Sequence, residues 1–154
     1  MMSTRTADGP GPRPHRVNDP TSAGRDGFYA AAAAESVSTL HLSIAGRPLR
    51  IDMAGSDTIG AIAPAFLPLA LTSPPPGDAA RLLIWAGEQY AHPAWRPTDG
   101  GPVRFRDGGL VSCQQLRVVE VFASDGPMLM WGAPEAFESG DVRAQPASTT
   151  LAIW

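Results

Sequence analysis

His41 and Asp52, with Ser43 and Arg50, are the residues of this chain whose types and spacing best suit chemistry. A histidine beside a carboxylate is held in one tautomer, and with a hydroxyl in reach it can act as a general base. The stretch that carries them is TLHLSIAGRPLRIDM, residues 39–53. Leu40, Leu42 and Ile44 alternate with His41 and Ser43, and Leu49, Ile51 and Met53 alternate with Arg50 and Asp52. Period two on both sides of a short loop predicts two half-buried strands. A two-residue Gly46-Arg47 loop suits a type II′ turn and sets Ala45 opposite Pro48. Counting back pairs Ile44 with Leu49, Ser43 with Arg50, Leu42 with Ile51, His41 with Asp52 and Leu40 with Met53. A small hydrolase or transferase would use the His41–Asp52 dyad. The competing reading is two solvated cross-strand polar pairs worth ~0.2–1 kcal/mol each. It is preferred, because Ser43 lies two residues along the same strand from His41 and no pocket is implied.

Other site patterns are absent. All 12 cations are Arg, so Schiff-base lysines are excluded. There is no G-x-x-x-x-G-K-[ST] phosphate loop, no H-E-x-x-H and no C-x-x-C. His15, His41 and His92 are too scattered to argue a metal site, and no cofactor or metal is expected. Cys113 has only Arg117 nearby in sequence to activate it and reads as a structural thiol. Among the four Trp, Trp85 and Trp131 fall on strands and read as core. Trp95 and Trp154, with Ile153 and Leu151 beside the latter, are the candidate docking residues.

The elements that must position these groups form an α+β domain. GSDTIGAIAPAFLPLAL, residues 55–71, has Ile59, Ile62, Ala63, Phe66 and Ala70 at helical spacing. Ser56 or Asp57 would cap that helix over the hairpin. Pro64 and Pro68 predict a kink, or a break at Ala63. RLLIWAG (81–87) reads as a buried strand, VRFRD (103–107) as a short one, and LRVVEVF (116–122) with PMLMW (127–131) as a second hairpin. The expectation is one antiparallel sheet of about five or six strands, built from two hairpins, with one main helix on one face. Residues 1–37 are assigned to a disordered tail, with at most a short helical turn through the alanines of 28–38. Residues 38–154 are assigned to a single domain.

Composition narrows the function classes. The chain has 154 residues, 44% of them hydrophobic, and a net charge of −3. That charge leaves no general footprint for nucleic acid or an anionic membrane. No apolar run spans a bilayer. A single Cys fits a reducing cytoplasm.

Taken in order, LHLSIAGRPLRIDMAG, LLIWAGEQYAHPAW and DGPMLMWGAPEAFESGDVRAQPASTTLAIW resemble the N-terminal half of bacterial HPr-kinase/phosphatase-like proteins. The matching places are Met53-Ala54-Gly55, Trp85, Pro93-Ala94-Trp95, Met130-Trp131 and Pro146 through Trp154, so the likeness runs over about residues 38–154. Ala86 stands where the family has Asp, and Ser148 where it tends to have Arg. The family's kinase core, with its phosphate loop and lysine, would begin after Trp154. The resemblance therefore implies a non-catalytic recognition or regulatory domain. It would bind a peptide or protein substrate, or dock a separately encoded kinase half, with STTLAIW as a domain junction. A truncated remnant without function is the alternative.

Overall fold

The computed structural model describes residues 20–88, 103–104, 110–114, 118–122 and 126–138. In chain order these form α1 (Pro20–Ala34), β1 (Val37–Ile44), β2 (Arg47–Ala54), α2 (Ser56–Phe66), a 3-10 turn (Leu67–Leu69), β3 (Ala80–Ala86), β4 (Val103–Arg104), β5 (Leu110–Gln114), β6 (Val118–Phe122), β7 (Met128–Gly132) and α3 (Pro134–Glu138). The class is α+β, as the sequence implies.

The hairpin is present, with a different register. Ile44 pairs with Arg47, Leu42 with Leu49, His41 with Arg50, Leu40 with Ile51 and Thr39 with Asp52. The loop is Ala45-Gly46, with φ of 50 and 80. Two consecutive positive φ values are the signature of a type I′ turn, whose twist matches that of the strands. Gly46 is thus the second loop residue and not the first. The slip relative to the expected pairing is two residues, so every side chain keeps its face. The expected pairs do not survive it: His41 faces Arg50, Ser43 faces Pro48 and Asp52 faces Thr39.

Among the described residues the sheet has seven strands, in the order β1-β2-β3-β7-β6-β5-β4. Both expected hairpins, β1–β2 and β6–β7, are antiparallel. They are joined through β3, which runs parallel to β2 on one side and to β7 on the other. The sheet is thus mostly antiparallel, as expected, with β3 as its parallel member. β3 reads LLIW at 82–85, buried throughout. A strand apolar at every position must be covered on both faces, as parallel strands are.

Both faces are indeed covered. Leu42, Leu49, Ile51, Met53, Leu82, Ile84 and Met130 meet α2 and Phe137 of α3. On the opposite face Leu83, Trp85, Val119, Val121, Leu129 and Trp131 meet Phe28 of α1. So one helix on one face becomes helices on two. Residues 20–34, placed by the sequence reading in the tail, form the cover of the second face, because Phe28 is buried there.

α2 starts from Gly55, whose φ of 95 lets the chain turn sharply out of β2. Neither Ser56 nor Asp57 caps it with a side-chain bond; both lie in its first turn, where the Asp57 charge suits the helix dipole. The helix runs through Pro64 to Phe66. The ring at Pro64 is exposed, and the N–H of Leu67 still reaches the Ala63 carbonyl.

Gly132, at the end of β7, lies under the ring of Phe137. A Cβ there would come within 2.5 Å of Cε2 and 2.8 Å of Cζ of that buried ring. Gly132→Ala is expected to destabilise the fold by about 1–3 kcal/mol. Phe137→Leu should recover part of the loss in the double variant. Urea unfolding of the four chains checks both, and an additive double variant would contradict the shared contact.

Candidate functional site: a carboxylate between two arginines

Asp52 is the buried centre of the polar residues on the α1 face of the sheet, 2% exposed. Alternation along β2 puts it on the same face as Arg50. Register puts Arg50 beside Arg81 of β3 and Asp52 beside Thr39 of β1. Both carboxylate oxygens are used. Oδ1 accepts from Thr39 Oγ1 at 2.7 Å and from Arg50 Nε at 2.9 Å. Oδ2 accepts from Arg81 Nη2 at 2.7 Å and from Arg81 Nε at 3.2 Å. Burial alone would raise the Asp52 carboxyl. Hydrogen bonds from Arg81, Thr39 and Arg50, and the Arg50 charge, outweigh it and hold the pKa below the ordinary carboxylate value. Arg81 is raised, first by its hydrogen bond to Asp52 and against its own burial, with smaller support from the Asp52 charge and from Tyr29 of α1.

The arrangement does not form the His41–Asp52 dyad that the hydrolase alternative requires. Asp52 accepts from Thr39, Arg50 and Arg81, and His41 is not among its partners. His41 occupies the next cross-strand row with Arg50 and Arg81, and its buried Nδ1 has no hydrogen-bond partner among the described residues. Without a carboxylate acceptor on the ring, nothing fixes the tautomer that a dyad needs. Among the described residues no group of three or more His, Cys, Asp and Glu could hold a metal ion.

Beside this row the outer edge of β1 carries an added segment. Ala70 bridges Leu42, and the Leu71 N–H donates to the His41 carbonyl at 2.7 Å. That bond ties an apolar stretch to the sheet edge. Leu67, Leu69 and Leu71 in it are 56%, 55% and 40% exposed. The stretch from Thr58 to Gly77 contains no charged residue. Three large exposed leucines within five residues are more than the scattered apolar exposure of an ordinary surface.

Of the residues singled out from sequence, the structure places Arg50 and Asp52 together and His41 beside Arg50. Ser43 is exposed opposite Pro48. Trp85 and Trp131 are core, as expected. Trp95, Leu151, Ile153 and Trp154 lie outside the described residues. Sequence reasoning missed Arg81, Thr39 and Tyr29, because a role shared across strands depends on register. The leucines were readable only as helix, although their long uncharged surroundings were a signal.

No family model, no curated protein and no solved structure matches the chain. Among the described residues no helix is long and apolar enough to cross a membrane.

Proposed function

We propose that this chain is a non-catalytic recognition domain that docks a segment of a partner protein on the surface formed by Leu67, Leu69 and Leu71 and the neighbouring β1 edge. The observation that carries this reading is the exposure of those three leucines on a segment bonded to the sheet edge. A sheet edge that already accepts one added backbone segment, beside an apolar flank, suits the binding of an extended chain. The resemblance to the N-terminal half of HPr-kinase-like proteins supplies the partner: a peptide or protein substrate of such a kinase, or a separately encoded kinase half. The absence of any Lys from the sequence agrees with a chain that leaves phosphoryl transfer to another protein. A cytoplasmic location, consistent with the single Cys113, belongs to the same proposal.

The test is a calorimetric titration of the purified chain against a co-encoded protein bearing G-x-x-x-x-G-K-[ST], and against that kinase's peptide substrate. Binding of either is expected. Leu69→Asp together with Leu71→Asp should weaken it by about tenfold or more, since each buries a charge in an apolar contact. Equal affinity for parent and double variant, or ATP turnover by the purified chain alone, would sink the reading.

A further inference from the structure

We propose that Arg50 and Arg81 form a receptor for a single carboxylate, supplied by an acidic residue of the docked partner segment; this rests on the docking reading above. A guanidinium has five N–H donors. Toward Asp52, Arg50 uses only its Nε–H, while Arg81 uses Nε and Nη2. Both Nη groups of Arg50 and Nη1 of Arg81 are therefore left over from that contact. The two side chains are 43% and 39% exposed, and Tyr29 is a further partner of Arg81.

Three features make the pair a receptor and not two surface charges. The first is preorganisation. An exposed arginine carries rotamer entropy that a ligand must ordinarily quench. Here the buried carboxylate already holds both guanidiniums, on adjacent strands at paired positions. The second is charge. Two guanidiniums and one carboxylate leave a single positive charge, which one monoanion neutralises. A dianionic phosphate would leave an excess negative charge beside buried Asp52. The third is place. The row Arg81–Arg50–His41 is set by the β1–β2–β3 register and ends at Leu71, whose N–H bonds the His41 carbonyl. Tyr29 of α1 stands beside Arg81. A segment with apolar side chains next to one Asp or Glu matches that order of surfaces.

The site can be tested without the partner. Sodium acetate is titrated into the intact chain while the Arg Nε–Hε resonances are followed by NMR, with sodium chloride at matched ionic strength and sodium phosphate as the other arms. Saturable shifts at Arg50 and Arg81 with acetate, and little response to chloride, are expected. Arg50→Gln should weaken the acetate response about tenfold, as loss of a charge-assisted bond does. Arg50→Lys keeps the charge and should lie between the two, which separates binding from unfolding. Shifts equal to those with chloride would overturn the proposal, as would tighter saturation by phosphate. Leucine variants that abolish partner binding while acetate leaves the arginines unmoved would remove the carboxylate receptor and leave the docking surface standing. The converse pair of results would remove the docking surface.

Discussion

Asp52→Ala is expected to lose about 3 kcal/mol of folding stability, seen as a lower urea midpoint at unchanged slope. The carboxylate accepts from three residues on three strands, so its removal unties β1, β2 and β3 at once. It also leaves Arg50 and Arg81 side by side with no anion between them. Their partial exposure lets water recover some of the cost, which keeps the figure at the low end of that for a broken buried pair. Asp52→Asn keeps the shape but sets an amide N–H₂ against arginine donors, and should recover less than half of the loss.

The same group sets a pH dependence. The Asp52 carboxyl has a lower pKa folded than unfolded. As pH falls below the ordinary carboxylate value of about 3.9, the unfolded chain takes up this proton first. The stabilisation is therefore complete above that value and is lost as pH drops toward the folded pKa. The stability gap between the parent and Asp52→Asn should be constant from neutrality down to about pH 5 and then close. A gap that widens in acid would mean that Asp52 is not ionised in the fold.

The hairpin shows how far the sequence could be read. Alternation specifies which face a side chain takes, and it is blind to a slip of two residues. Both registers put Leu40, Leu42, Leu49, Ile51 and Met53 on one side. Only the turn separates them, and Ala45 accepting a φ of 50 is not legible from its residue type. That one ambiguity decided the site. In the expected register Asp52 faces His41 and suggests a base; in the observed one it faces Thr39 and ties two arginines. Strand β3 shows the reverse case. Its unbroken apolar run was legible as buried, and burial on both sides already required a second covering layer. The layer was overlooked because α1 carries two glycines and a run of alanines beside polar residues, with Phe28 as its one large buried side chain. β5 (Leu110–Gln114) was missed for a simpler reason: LVSCQ follows a glycine pair and has no alternation of its own.

Phe28→Ala should have the largest effect of any single truncation in α1, about 3–5 kcal/mol. Phe28 is buried and meets Trp85 edge-on, with ring centroids 6.2 Å apart at 80°. Gly27 allows this approach, since a Cβ there would lie 3.3 Å from the Trp85 indole. A 15-residue helix with glycine in it is marginal in water by itself, so its persistence depends on what it packs against. Removing the ring should free α1 as a unit while the β1–β2 ladder keeps its own bonds. Hydrogen exchange is then expected to quicken across Pro20–Ala34 more than across Val37–Ala54, and Trp emission should shift to the red as Trp85 meets water. Unchanged exchange in α1 would show that another contact holds the helix. The loss should also reach the arginine pair. Tyr29 sits one residue beyond Phe28 and contributes to the environment of Arg81, so freeing α1 should weaken the acetate response while leaving the Asp52 ties intact. An acetate response unaltered in Phe28→Ala would confine the receptor to the strands and remove α1 from it.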